Sequence, residues 1–145
     1  MRRRDMLVAL LAAGMTAGAF ALAGELPRLH STVVDWSAMT AKPTEAGSVR
    51  AVLKGPTATL DELEVHVTTL APGKAPHPPH KHPNEELLIV KQGTIEALVG
   101  GEWKRAGAGA TIFFASNELH GVRNAGADEA VYHVVAWKTP ATPAQ

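Results

Sequence analysis

Three residues of types that commonly bind metal ions recur at short spacing in one segment of the chain. His80 and His82 are separated by one residue, and Glu86 follows four residues after His82. In an extended strand, alternate side chains point to the same face and lie about 6.6 Å apart along the chain. The three side chains therefore share a face wherever the backbone stays extended. This spacing predicts a metal site with His80, His82 and Glu86 as ligands.

A fourth ligand has to come from another part of the chain, and the candidate is His120, in a stretch punctuated by glycine and asparagine. The neighbouring Glu85 leaves an alternative for the carboxylate ligand. A bulge at the start of the strand would switch the two faces and make Glu85 the ligand instead of Glu86. His77 precedes two prolines, and we place it on the surface, outside the ligand set.

Three imidazoles and one carboxylate form a borderline-to-hard ligand set, which suits iron, manganese, nickel, cobalt or zinc. The sequence predicts one divalent ion per chain without deciding among these metals. On a five- or six-coordinate ion, four protein ligands leave a position open for a substrate. The chain contains no cysteine, which excludes thiolate sites and disulfides. It also has no phosphate loop or dinucleotide fingerprint, so no organic cofactor is predicted.

The elements that carry these residues are short apolar runs rich in valine and isoleucine, separated by glycine, proline and asparagine. This pattern predicts an all-β domain built as a single antiparallel barrel or jelly roll. Strands are predicted near 48–53, 62–70, 86–91, 94–99, 111–115 and 130–137, with shorter ones near 102–105 and 121–123.

The connections are predicted from turn residues. Gln92-Gly93 and Gly100-Gly101 are each typical of a tight hairpin. Nearer the N-terminus, residues 31–36 predict one further short strand and residues 43–47 a loop.

Two histidines within strand patterns, His66 and His133, are candidates for a substrate pocket because inward strand residues line a barrel. Tyr132 competes with His133 for the inward position. The runs 87–90 and 131–137 are apolar on both faces, whereas a strand that is covered on one side alternates. One face should line the barrel and the other should pack on a second sheet or a partner chain, and we predict a homodimer.

The composition describes one globular domain of 145 residues, with 46% hydrophobic residues and a formal net charge of zero. A nucleic-acid-binding protein normally carries a basic patch or stripe. The single arginine run, Arg2 to Arg4, lies at the extreme N-terminus. We therefore predict no nucleic-acid partner.

Residues 1–23 have the organisation of a signal peptide. Three arginines precede an apolar run, and Ala21-Leu22-Ala23 forms an A-x-A cleavage site. Arg3-Arg4-Asp5-Met6-Leu7 resembles the twin-arginine export signal. We predict export to the periplasm or the medium, cleavage after Ala23 and no stable membrane insertion afterwards. The remaining chain divides into an N-terminal strand and linker (24–47), the β-domain (48–138) and a C-terminal tail (139–145).

Residues 73–93 resemble the first cupin motif, in which glycine, His-x-His, glutamate and a second glycine follow at set spacing. The second cupin motif ends in a histidine and an asparagine, here His120 and Asn124, with Ala115 and Asn117 at its usual proline and glycine positions. The resemblance implies an antiparallel barrel of six or more strands. It also implies a role for Asn124 in closing a turn, and the following metal ligands: His80, His82, Glu86 and His120.

Cupins include enzymes of several reaction classes as well as non-catalytic modules, so the fold does not define the reaction. The sequence shows no Ser-His-Asp constellation, and the metal is the evident source of catalysis. We predict a metal-dependent enzyme that acts on a small oxygenated metabolite, with oxygenase- or isomerase-like chemistry. The alternative is a non-catalytic periplasmic module that binds or senses a small molecule.

Overall fold

The computed structural model describes residues 27–144. Within this range the regular structure consists of nine β-strands and one short 3-10 helix, Trp36–Ala38, which confirms the predicted all-β class. The strands are β1 (Lys42–Thr44), β2 (Gly47–Gly55), β3 (Glu62–Leu70), β4 (Glu85–Gln92), β5 (Thr94–Val99), β6 (Glu102–Gly107), β7 (Thr111–Phe114), β8 (Gly121–Asn124) and β9 (Ala130–Lys138).

The strands form two antiparallel sheets. The larger sheet has the order β1-β2-β3-β9-β4-β7, and the smaller has the order β6-β5-β8. Side chains from both sheets form one core, in which Leu88 and Tyr132 of the larger sheet cluster with Ile95 and Val122 of the smaller. This two-sheet arrangement is that of a jelly roll. Each fully buried aliphatic side chain contributes about 1.5–3 kcal/mol to its stability.

The strands that are apolar on both faces turn one face to the core and the other outward. In β9, Tyr132 and Val134 are buried and face inward. On the opposite face of the larger sheet, Ile89 is 42% exposed and Phe113 is 50% exposed. The outer face therefore presents apolar side chains that the described part of the chain leaves partly uncovered.

The two predicted hairpin turns have different outcomes. Gly100 and Gly101 connect β5 to its neighbour β6 with φ values of 60° and 84°, as a type I′ turn requires. The hairpin prediction at Gln92-Gly93 is wrong, because β4 lies in the larger sheet and β5 in the smaller. At Gly93 φ is 78°, and a Cβ atom would lie 2.6 Å from the carbonyl oxygen of Glu129. Glycine is needed there because the chain passes tightly from one sheet to the other.

The N-terminal part of the described chain differs from the prediction in two ways. Residues 31–36 form no strand, because the carboxylate of Asp35 accepts a 2.9 Å hydrogen bond from the Ser37 amide and caps the 3-10 helix. Such local side-chain bonds compete with sheet formation. The loop prediction at 43–47 is also wrong in part, since β1 pairs with the start of β2.

The residues before β1 pack along the larger sheet. The amide of Leu29 donates a 2.8 Å hydrogen bond to the carbonyl of Pro56. The ring of Trp36 lies between Arg50 of β2 and Lys91 of β4, with the Lys91 ammonium 3.5 Å from the ring centroid. No helix among residues 27–144 is long and apolar enough to cross a membrane. The predicted signal peptide lies outside the described residues.

Candidate metal site and cavity

Three of the predicted ligands, His80, His82 and His120, come together in the structure. One ligand atom from each lies within 4.8 Å of those of the other two. The ring centroids of His82 and His120 are 4.6 Å apart, as are those of His80 and His120. The cluster joins the segment before β4 to the residue that precedes β8, and it can hold a metal ion.

Backbone hydrogen bonds hold the segments that carry these histidines. His80 and His120 form an isolated antiparallel bridge, in which each amide donates to the other's carbonyl at 3.0 Å. The amide of Asn117 donates to the carbonyl of His82 at 2.9 Å. Asn117 has a φ of 59°, a conformation that asparagine tolerates better than most residues. It therefore serves where the second cupin motif usually has glycine.

The imidazole rings are oriented by main-chain carbonyls. Nδ1 of His82 lies 3.0 Å from the carbonyl oxygen of Asn84, and Nδ1 of His120 lies 2.8 Å from that of Glu118. A carbonyl can only accept, so both Nδ1 atoms carry hydrogen and both Nε2 atoms are left with a lone pair. Metal-binding imidazoles are normally held in this way.

Two imidazole nitrogens are buried without a partner, Nε2 of His120 and Nδ1 of His80. An unsatisfied buried polar atom costs about 1–3 kcal/mol. Nε2 of His120 belongs to a residue of the histidine cluster and faces Glu86, so a bound cation would satisfy it, and the residues that are present fit a divalent metal.

Glu86, the predicted fourth ligand, reaches two of the imidazoles. Its carboxylate oxygens lie 3.3 Å from Nε2 of His82 and 3.9 Å from Nε2 of His120. Two atoms bound at about 2.1 Å to one ion can be at most about 4.2 Å apart, and the distances to His82 and His120 satisfy this limit, although Glu86 is not within the same short range of all three histidines. Glu85 lies on the opposite face, where it accepts a 3.0 Å hydrogen bond from Nε1 of Trp137. The structure thus brings Glu86, and not Glu85, to the histidines.

The environment of the cluster favours neutral imidazole. Burial, and then the neighbouring rings of His77, His120 and His82, lowers the pKa of His80 to about 4. His80 is therefore uncharged at neutral pH, the form that binds metal. Phe114 stacks on His120 with a centroid distance of 4.5 Å and restricts the rotation of that ring.

His77 is exposed, as predicted, but it is closer to the cluster than the sequence indicated. Its ring contacts that of His80 edge-on at a centroid distance of 4.2 Å. It also lines the cavity described next, although it is not one of the three clustered histidines. The four-residue run from His77 to His80 contains no periodic signal that would have indicated this contact.

A cavity of about 360 Å³ adjoins the cluster, with Glu86 and His120 in its lining. The following apolar side chains form much of its wall: Leu70, Leu88, Phe114, Val122 and Val134. Its other polar lining includes His66, Thr68 and Tyr132. The sequence analysis missed Thr68, which has the same parity as His66 on β3 and could have been found from it.

The two pocket candidates lie on opposite faces of the larger sheet. His66 lines the cavity, as predicted, whereas His133 pairs with Val67 and Ile89 and is absent from the lining. The prediction for His133 is corrected because Tyr132 occupies the inward position. Adjacent residues in a strand point to opposite faces, so only one of the pair can face the cavity.

A family model described as "Cupin domain" matches residues 66–136. Over this stretch, just under half of the chain, the protein is similar to a cupin domain. Among solved structures, KdgF from Halomonas sp. aligns with this protein at a TM-score of 0.63 and 18% identity, over 77% of this chain and 97% of that one. The polyketide cyclase RemF from Streptomyces resistomycificus aligns at a TM-score of 0.62 and 21% identity, over 77% and 82%.

A third similar structure is the Cupin_2 domain of an XRE family transcriptional regulator from Enterobacter cloacae. It aligns with this protein at a TM-score of 0.54 and 22% identity, over 63% of this chain and 95% of that one. No curated protein matches significantly. At these identities the likeness shows the cupin fold alone.

The second cupin motif is structurally intact at its end. Asn124 is 2% exposed, and its side-chain amide donates to the carbonyls of Leu70 and Asp128. Its side-chain oxygen accepts a 2.9 Å hydrogen bond from the amide of Gly126. Asn124 therefore closes the turn after β8, as the resemblance implied.

Proposed function

We propose that this protein is an exported cupin enzyme that depends on one divalent metal ion and acts on a small oxygenated metabolite. Its chemistry is oxygenase- or isomerase-like, and the ion is iron, manganese, nickel, cobalt or zinc. The ligands are His80, His82, Glu86 and His120. The observation that carries the proposal is the cluster of three histidines, in which the buried, unpartnered Nε2 of His120 belongs to a residue that lines the cavity.

The cavity supports a reaction at the metal. Its volume of about 360 Å³ lies at the small end of the range for ligand sites. A divalent ion in this position supplies positive charge beside an oxygen atom of the bound molecule. Glu86 and His120 both belong to the proposed ligand set and to the cavity lining, so a molecule in the cavity is within reach of the ion.

The alternative is a non-catalytic module that binds or senses a small molecule. The similarity to the cupin domain of a transcriptional regulator favours it, whereas the similarity to a polyketide cyclase favours an enzyme. An exchangeable water on the loaded ion would favour the enzyme, because a reactant needs an open position. A loaded ion without exchangeable water would favour the module.

We further propose a homodimer formed by the outer face of the larger sheet. Phe113 and Trp137 stack there with centroids 6.4 Å apart. Leu87 pairs with both Phe113 and Val135, so that apolar residues of three strands are contiguous. A patch of this kind is typical of an interface.

The proposal that the protein is exported is supported by the signal-peptide pattern in the sequence of residues 1–23.

The test is element analysis of the protein purified from its native compartment without added metal. We expect about one divalent ion per chain, located on the histidine cluster by loss of the signal in ligand variants. A protein that contains no metal, and that binds none of the five metals in a calorimetric titration, would refute the proposal. Water relaxation of the manganese-loaded protein then distinguishes the enzyme from the module.

A further inference from the structure

A histidine lies across the cavity from the proposed metal ligands. In the larger sheet only β9 separates β3, which carries His66, from β4, which carries Glu86. His66 pairs with Val134, and Val134 pairs with Leu88, two residues after Glu86. Two interstrand spacings amount to about 9.6 Å. A small molecule that lies in the cavity over β9 can therefore contact His66 on one side and the proposed metal ligand Glu86 on the other.

His66 is held by a carboxylate on its own strand. Nδ1 of His66 lies 3.5 Å from Oε1 of Glu64, and the other oxygen of Glu64 accepts a 2.5 Å hydrogen bond from the ammonium of Lys54. With Nδ1 directed to Glu64, Nε2 is the nitrogen left for the cavity. A carboxylate that orients an imidazole in this way is a common arrangement for acid–base catalysis.

The charged groups around His66 come from three strands. Burial lowers the pKa of His66, while Glu64, and more weakly Glu86, oppose this shift. Lys54 lowers it slightly further. Tyr132, on β9, is uncharged because burial raises the pKa of its phenol. His66 is therefore neutral at neutral pH and able to accept a proton.

The described residues that line the cavity include no lysine or arginine. Lys74 lies at a separate opening that shares Thr44 and Pro76 with the cavity. A carboxylate or phosphate on the distal part of a ligand would thus be buried among apolar side chains without a cation, which is costly. The cavity is suited to a ligand that carries no such group.

Building on the proposed function, we propose that His66, held by Glu64, is the proton-transfer residue of this cavity. The substrate class is an uncharged α-hydroxycarbonyl compound with a hydrogen on the carbon that bears the hydroxyl. The C–H bond breaks, its proton moves to Nε2 of His66, and its electron pair forms the double bond of an enolate whose charge lies on the former carbonyl oxygen. The hydroxyl proton then moves to that oxygen, the oxygen it left re-forms a carbonyl, and the proton on His66 is delivered to the former carbonyl carbon. The product is the isomeric α-hydroxycarbonyl compound, and no oxidant or reductant is needed. Of the two reaction types in the proposed function, this step belongs to the isomerase-like one.

The experiment uses the zinc-loaded protein in D₂O with acetoin, an uncharged hydroxyketone, as the probe. Proton NMR follows exchange of the methine hydrogen with deuterium, and saturation-transfer NMR follows binding. We expect exchange faster than in buffer, at least a 10-fold loss in His66→Gln, and a partial loss in Glu64→Gln. Zinc content and acetoin binding should be retained in both variants. His133→Gln removes a histidine from the opposite face and should exchange as the wild type does.

Two further measurements separate the parts of the inference. Dihydroxyacetone phosphate has an exchangeable hydrogen but carries a phosphate, and we expect at least 10-fold weaker binding than for acetoin. Long-range ¹⁵N NMR of the metal-free protein should show hydrogen on Nδ1 of His66, and Glu64→Gln should disturb this tautomer.

The possible failures can be told apart. Wild-type protein that binds zinc but neither binds acetoin nor speeds its exchange would overturn the inference and leave the metal site standing. Unchanged exchange in His66→Gln, or preferred binding of the phosphate ester, would do the same. A wild-type protein that binds no metal would refute the proposed function together with the inference.

Discussion

The backbones of His80 and His120 are joined by a reciprocal pair of 3.0 Å hydrogen bonds. These residues lie in the two segments that resemble the cupin motifs, and the bridge holds their backbones at a defined separation. Their ring centroids are 4.6 Å apart. Backbone hydrogen bonds that hold two proposed ligands together reduce the conformational entropy that these residues would lose when an ion binds.

Replacing His82 with alanine should strip most of the metal. His82 belongs to the three-histidine cluster, and its loss leaves the ion with fewer ligands than the proposal requires. Because ligands that bind only the folded state stabilise it by about 2.7 kcal/mol at 100 times Kd, the variant should also lose metal-dependent thermal stability. Element analysis and thermal unfolding measure both effects.

The matched control is His77→Ala, which removes a histidine that contacts His80 but lies outside the cluster. It should retain metal and stability. Full occupancy in His82→Ala, or loss in His77→Ala alone, would show that the ligands are wrongly assigned.

The two adjacent glutamates should differ in their effect on metal affinity. Glu86→Gln removes the carboxylate next to His82 and His120 and should weaken metal binding at least 10-fold. Glu85→Gln changes the partner of Trp137 on the outer face and should leave metal affinity unchanged. Competition with a chromophoric chelator gives both constants. Equal weakening by the two substitutions would contradict the placement of Glu86.

The outer face of the larger sheet should hold two protomers together. Phe113, on the edge strand β7, is 50% exposed on this apolar face, so Phe113→Lys buries a charge in the proposed interface and should convert a dimer to a monomer. Light scattering at micromolar concentration measures the mass. Val33→Lys, at a site that is 95% exposed, is the control and should remain dimeric. A monomeric wild type would refute the dimer.

The stability of the metal-free protein should fall as the pH is lowered from 7 to 5. Burial holds the pKa of His66 below its ordinary value of 6.5, so the unfolded chain takes up this proton more readily than the folded protein. The stability is present above pH 6.5 and is lost as the pH falls through the folded-state pKa. His66→Gln should reduce this dependence in urea unfolding experiments, with the remainder due to His80, whose pKa is also lowered, whereas His133→Gln should leave the dependence unchanged. Identical pH profiles for all three proteins would count against the effect.

Export should depend on the arginine pair at the N-terminus. Replacing Arg3 and Arg4 with lysine should block the twin-arginine route, because that route requires both arginines, and the precursor should accumulate in the cytoplasm. Sequencing of the mature protein should begin at Gly24. Unchanged export of the double variant would exclude the twin-arginine route but not another one. A mature N-terminus at Met1 would exclude the signal peptide.

The short spacing of His80 and His82 brings both into one cluster, although the strand geometry assumed for them is not formed: His80 makes an isolated bridge and β4 begins at Glu85. Whether Glu85 or Glu86 faces the histidines does not depend on the local sequence alone. Glu85 is turned away because it pairs with Trp137, and that register depends on β9, far along the chain.

Two other predictions also depended on strand pairing that no local sequence feature shows. A glycine with positive φ indicates a turn, and Gly93 is one, but no local feature shows that β4 and β5 belong to different sheets. The competition between Tyr132 and His133 was likewise decided by pairing with β3 and β4. By contrast, the absence of a strand at 31–36 has a local cause, the Asp35 cap, which the sequence analysis overlooked.

The position of β9 has a consequence for synthesis of the protein. Among residues 27–144 it is the last strand, yet it lies between β3 and β4 in the larger sheet. Until residues 130–138 have been synthesised, β3 and β4 have no partner strand between them and the sheet cannot close. Closure of the larger sheet therefore depends on long-range pairing, which is intrinsically slow.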